Sequence, residues 1–163
     1  MEKSKRRVVE GWVDKASTHL QTAKDHFKGG VYYSDAVQAC QVCVELSVKA
    51  ILAFLEVDFP KSHGWDKEKL SKLAEQVQKR SILDKLDWQY LYIKLPRLLF
   101  LANFWDQFYL QAKYGMEAGY LASAQDLFGR DEAEIAIKHA DECFNAAIQL
   151  RCLPEDQLEA VVK

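Results

Sequence analysis

The sequence predicts an all-α protein, an up-down bundle of four main helices and one shorter one. Three observations carry this expectation. Apolar residues recur at helical spacing through several long stretches. Proline and glycine are scarce, at 3 and 7 of 163 residues, which disfavours the many tight turns of a strand-rich chain. Of those present, Gly29, Gly30, Pro60, Gly115, Gly119 and Pro154 fall between the stretches or at their ends.

Each element has its own justification. The first helix is expected from about Lys5 or Val8 to Lys28, with a stripe of Trp12/Val13, Ala16, Leu20, Ala23 and Phe27. Gly29 and Gly30 break it. A second helix is expected from about Tyr32 to Val57, opened by Ser34 and Asp35 and stopped before Pro60. It is apolar almost throughout. Its polar exceptions, Asp35, Gln38, Gln41, Glu45 and Lys49, are spaced to lie on one line along a helix, while Ser47 is small enough to hide. A helix of this kind packs on several sides. Its polar line must then meet water, a partner or paired groups. Glu45 and Lys49 form an i,i+4 pair in the favourable order.

A shorter helix is expected over Asp66 to Lys79, with Leu70, Leu73 and Val77 facing inward, and Ile82 to Leu86 can add a turn. The aromatic stretch from Asp87 to Tyr114 should hold the next main helix, begun or kinked at Pro96. Tyr114 to Gly129 is a connection with room for a helical turn at Ala122 to Phe128. The last long helix is expected over Asp131 to Leu153. Asp131 and Glu132 suit its positive end, and Ala133, Ile137, Ala140, Phe144, Ala147 and Ile148 its buried face. Pro154 stops it. The tail, residues 154–163, is either a short helix or a frayed end. One domain therefore spans 1–163, with its core at about 8–153.

Composition narrows the function classes. Hydrophobic content of 49% and charged content of 28% are those of an ordinary soluble globular chain. A net charge of −2 gives no global attraction to nucleic acid. Two local basic regions, at Lys3 to Arg7 and Lys67 to Lys85, read as solvated surface. No apolar leader precedes a cleavage site. The apolar run Val48 to Val57, interrupted by Lys49 and Glu56, reads as too short and too charged to span a bilayer. A cytoplasmic location without membrane contact is expected.

Cys40 and Cys43 have C-x-x-C spacing, but inside a continuous helix, where two small buried core residues are the simpler reading than a metal or redox pair. His19 and His26 are seven apart, about 10.5 Å along a helix, too far to share one ion without helpers. No Glu-x-x-His pair, phosphate loop, dinucleotide fingerprint or nucleophile elbow is present. Neither a cofactor nor a metal is expected. The aromatics Trp88, Tyr90, Tyr92, Phe100, Phe104, Trp105, Phe108 and Tyr109 exceed what one core face can take. Core packing plus a homodimer interface is the simplest account of them.

The segment from Gly29 to His63 resembles the HEPN family of small helical bundles. The matching residues are Gly30 to Ala36, Ala39, Gln41, Glu45-Leu46, Lys49-Ala50, Leu52, Pro60 and His63. Upstream, Trp12, Ala16, Leu20, Ala23 and Phe27 are similar to the family's first helix. Downstream, Lys113-Tyr114-Gly115 and the segment Asp131 to Ala147 are similar more loosely. The resemblance covers about Val8 to Arg151. It implies a nucleotide- or RNA-associated role, frequent homodimerisation, and a common association with a small nucleotidyltransferase partner.

The resemblance also sets out a test for enzymatic function. Many members are metal-independent ribonucleases with an arginine followed, after four to six residues, by a histidine near the start of the last helix. There the arginine stabilises a phosphate and the histidine moves a proton. That spacing is missing here. Arg130 and His139 are the nearest approach, nine positions and about 13 Å of helical rise apart, on opposite faces. No catalytic residue is therefore assigned. The candidate ligand-binding residues are Glu45, Lys49 and His63, which match recurring family positions, and Lys113 with Tyr114, which resemble the family's Arg-Tyr. Lysine keeps the charge but loses the planar fork. Glu45 and Lys49 read first as a pair that fixes packing and second as ligand contacts. The leading expectation is a binding or regulatory protein. The alternatives are a divergent, toxin-like ribonuclease using Arg130 and His139, and a purely structural protein-interaction module.

Overall fold

The computed structural model describes residues 2–59, 64, 65, 67–88, 91, 93–116 and 121–163. Among them are nine helices and no strand, which bears out the all-α class. Three are long: α1 (Lys3–Gly29), α2 (Tyr33–Phe54) and α8 (Arg130–Cys152). They pack against one another, and α2 is the common element, because α5 (Leu95–Asp106) and α6 (Tyr109–Tyr114) also lie against it. Shorter helices complete the chain: α3 (Lys67–Lys79), α4 (Ile82–Trp88), α7 (Ala124–Leu127) and α9 (Glu155–Val162).

The periodic sequence explains the core. On α1, Val9, Val13, Ala16, Leu20 and Ala23 are buried, with Trp12 and Phe27 packed at its margins. A left-handed residue, Gly30 (φ 71°), closes α1, its N–H returning to the Phe27 carbonyl. Only Gly30, Val31 and Tyr32 separate α1 from α2. Helix α2 buries most of its circumference, with Asp35, Gln38, Glu45 and Lys49 of its polar line partly exposed and Ser47 fully hidden. This helix, Tyr33–Phe54, is long and apolar enough to cross a membrane by length and composition alone. Most of it is instead buried by the other helices of the bundle.

Two boundaries and one buried face differ from the sequence reading. Helix α2 stops at Phe54, not Val57, where Glu56 takes a positive φ of 51°. The aromatic helix expected to run to Tyr114 is divided at Gln107–Phe108 into α5 and α6. Trp105 and Phe108 are three apart and both turn inward, with ring centroids 6.1 Å apart. The buried face of α8 is made chiefly of small residues, Ala133, Ala136, Ala140, Cys143, Ala146 and Ala147, with Leu150. The expected Ile137, Phe144 and Ile148 are only partly buried. Small side chains let α8 approach α2 closely, and the bulky ones fill the flanks.

Ion pairs fix the long helices laterally. Lys24 of α1 meets Asp141 of α8 at 2.8 Å, and Asp14 meets Arg151 at 2.6 Å. Arg97 of α5 grips Glu142 through both of its forks, at 2.6 and 2.9 Å. The tail is ordered as α9, with Leu158 and Val161 buried. Arg80 donates to the carbonyls of Leu55, Glu56 and Val162, tying the end of α2 to α9.

Candidate functional site

The polar line of α2 opens onto a small cleft where α2, α5 and α6 meet. Glu45 and Lys49 form the expected pair, Nζ to Oε1 at 2.6 Å, with both side chains largely covered. One turn earlier, Gln41 of the same line meets a paired group and not water. It is 5% exposed, and its amide N–H donates to the Trp105 carbonyl at 3.0 Å. That bond fixes the amide's direction, since a carbonyl can only accept. Gln41 Oε1 is left buried with no hydrogen-bond partner among the described residues.

Gln41, Val42, Glu45, Trp65, Ala102, Asp106 and Tyr109 line the cleft, whose free volume of about 30 Å³ is close to that of one water. The Trp65 backbone N–H reaches Asp106 Oδ2 at 3.4 Å, and Lys69 Nζ reaches the Gly64 carbonyl at 3.2 Å. The amide of Gln41 and the carboxylates of Glu45 and Asp106 give the cleft hydrogen-bond acceptors. Tyr109 carries the site outward along α6. Lys113, one turn further on, holds its ammonium 5.8 Å from the Tyr109 ring and 5.1 Å from the Tyr114 ring. Tyr114 itself is 68% exposed and stands on the surface beyond the cleft.

Of the five ligand-binding candidates, Glu45 and Lys49 are therefore paired beside the cleft and Lys113 is one aromatic ring away from it. Tyr114 packs against the Lys113 ammonium and is not among the residues that line the cleft. His63 lies outside the described residues, as do Pro60, Tyr90 and Tyr92. The sequence reading had not singled out Trp65 and Asp106 as site residues. Asp106 carried a usable signal, as the acidic residue closing a run from Leu98 to Trp105 in which Asn103 is the one polar residue.

Arg130 and His139 do not converge. Arg130, the first residue of α8, lays its guanidinium over the Phe27 ring at 5.5 Å, towards α1. His139 faces α5, where its Nδ1 accepts the Trp105 indole N–H at 3.2 Å. Burial, and then the Arg97 cation against the opposing Glu142, holds the His139 pKa below its usual value. The imidazole is thus kept neutral and used as an acceptor.

The cysteines follow the packing reading. Cys40, Cys43 and Cys143 are fully buried, and only Cys152 is exposed. Burial pushes the Cys43 thiol up to about 12 and raises those of Cys40 and Cys143 as well. Among the described residues no group of three or more His, Cys, Asp or Glu side chains could hold a metal ion.

The HEPN domain model matches residues 9–150, most of the chain. The protein belongs to the HEPN domain family. No curated protein and no solved structure matches it. The HEPN match begins at Val9, the first buried residue of α1, and ends at Leu150, the last buried residue of α8. The family region therefore runs from α1 to α8 and contains the α2 cleft, and α9 lies beyond.

Proposed function

We propose that this HEPN protein is a cytoplasmic binding or regulatory protein, associated with nucleotide or RNA through the α2 cleft and the Lys113 rim. It acts as a homodimer beside a nucleotidyltransferase partner and does not itself cleave RNA. The observation that carries this reading is the separation of Arg130 from His139. One lies on Phe27 of α1, and the other is engaged by the Trp105 indole on α5. An arginine that steadies a phosphate and a histidine that moves its proton must meet on one substrate.

The homodimer is supported by Phe100 and Phe104, stacked with centroids 6.0 Å apart and 58% and 37% exposed. Two adjacent exposed rings on one helix suit a covered surface. The test is to incubate purified protein with labelled RNA and measure both cleavage and retention. Retention without cleavage, weakened by Lys113→Ala, is the expected result. Cleavage that disappears in folded His139→Ala would overturn the reading and establish a ribonuclease. Light scattering that gives a monomer at micromolar concentration would remove the dimer from it.

A further inference from the structure

The last turn of α5 is held from several sides at once. Trp105 donates its indole N–H to His139 Nδ1 of α8 at 3.2 Å. Its backbone carbonyl accepts the Gln41 amide N–H of α2 at 3.0 Å, and the Phe108 N–H at the junction with α6 at 3.1 Å. The next residue, Asp106, accepts the Trp65 backbone N–H on its carboxylate at 3.4 Å. Gln41, Trp65 and Asp106 all line the α2 cleft. Two consecutive residues therefore join a histidine of α8 to the walls of that cleft.

The indole has little room to move by itself. Trp105 is 4% exposed, and Phe104 and Phe108 meet it edge to face with centroids 5.1 and 6.1 Å away. Close-packed interiors transmit displacement, so a push on the indole N–H is passed to the backbone of the turn.

The bond to His139 depends on one proton. An indole N–H can only donate, and an imidazole accepts on Nδ1 only while neutral, with its proton on Nε2. Protonation sets two N–H groups against each other and leaves the buried indole without an acceptor, which is unfavourable. The charges that bear on the imidazole are Arg97 of α5 and Glu142 of α8, bonded to each other at 2.6 and 2.9 Å. Among the described residues α2 adds none. Burial and Arg97 outweigh Glu142, so the neutral form persists to lower pH than in a free histidine.

We propose that His139 is a pH-sensitive positioning residue for the α2 cleft. Neutral, it holds the last turn of α5 through Trp105. Protonated, it repels the indole, and the Gln41 and Trp65 bonds of the cleft shift with the turn. This gives the cleft a regulation, whose biological sense rests on the function proposed for it, but the coupling itself is read without a ligand.

The test is a titration of isotope-labelled native protein from about pH 8 to about pH 5 by nuclear magnetic resonance. The signals followed are the His139 ring, the Trp105 indole N–H, the Gln41 side-chain amide and the Trp65 backbone amide. All four should move with one midpoint, below 6.5. In His139→Gln, whose side-chain carbonyl accepts the indole N–H without titrating, the other three should keep their neutral-pH positions over this range. Gln41 and Trp65 signals that stay fixed while His139 titrates would overturn the proposal. So would signals that titrate alike in native protein and His139→Gln, which would assign the movement to another group. If His139→Gln does not fold, the native midpoints decide, and cleft signals whose midpoint departs from that of His139 would overturn it equally. RNA retained at no pH would remove the function proposed for the cleft and leave this coupling standing.

Discussion

Replacing His139 by alanine separates a structural histidine from a catalytic one. The imidazole Nδ1 takes the indole N–H of Trp105 at 3.2 Å, and Trp105 is 4% exposed. Alanine leaves that N–H buried without an acceptor, which costs about 1–3 kcal/mol. For a domain of this size each kcal/mol moves the melting temperature by about 2–4 °C. His139→Ala is therefore expected to melt about 2–12 °C lower at pH 8 by scanning calorimetry. His139→Gln, whose side-chain carbonyl can accept the same N–H, should recover part of the loss.

The pH dependence provides a second arm. His139 is held below its usual 6.5 by burial and by Arg97, against Glu142, and His19 is lowered by burial and by Lys15. Below 6.5 the unfolded chain takes up these protons before the folded one does. The contribution of both histidines is thus complete above pH 6.5 and is lost as the pH falls towards their folded values. Native protein should lose more melting temperature on acidification through this window than His139→Ala does, His19 accounting for a remainder. A His139→Ala variant melting within about 1 °C of native protein at pH 8, with unchanged acid sensitivity, would refute this assignment of His139.

Three further expectations follow from particular contacts. Gly115 has φ 78°, and a Cβ there would lie 2.3 Å from the Ala122 carbonyl oxygen, which belongs to the Met116–Ala122 bridge. Gly115→Ala should cost about 1–3 kcal/mol in urea unfolding, and an unchanged midpoint would contradict the geometry. A disulfide reagent should modify one thiol, Cys152, quickly in the native protein, and Cys40, Cys43 and Cys143 only on unfolding. Several fast thiols in folded protein would show the α2–α8 seam to be open. A double-mutant cycle on Glu45→Gln and Lys49→Met should give a coupling of about 1–3 kcal/mol, because the charged hydrogen bond is largely shielded. A coupling near zero would place the pair effectively in water.

The sequence disclosed what depends on neighbours along the chain. The stripe of Val13, Ala16, Leu20 and Ala23 placed α1, and the i,i+4 spacing of Glu45 and Lys49 announced their pair. Features created by approach from a distance stayed hidden. The spacing that put Gln41 in a polar line left open whether it met water, a partner or a paired group, and the Trp105 carbonyl that its amide meets comes from 64 residues away. Trp65 and Asp106 share the cleft only because tertiary packing brings their segments together. The division between α5 and α6 falls at Gln107–Phe108, where no proline or glycine marks a break in the sequence. In α8, size governed burial more than hydrophobicity did, so Cys143 and Ala146 went in while Ile148 stayed at the edge.

The three-residue link between α1 and α2 also bears on the order in which the bundle assembles. Helix α1 meets α2 across that short hairpin, whereas α8 must close onto α2 over about 75 intervening residues. The difference in chain entropy between two such closures is roughly 3 kcal/mol. The α1–α2 hairpin is therefore expected to form the rate-limiting nucleus, with α8 docking afterwards. Truncations at Val13 and Val44 should then slow refolding, while truncations at Cys143 and Leu150 should chiefly speed unfolding. The reverse pattern in stopped-flow kinetics would make α8 part of the nucleus.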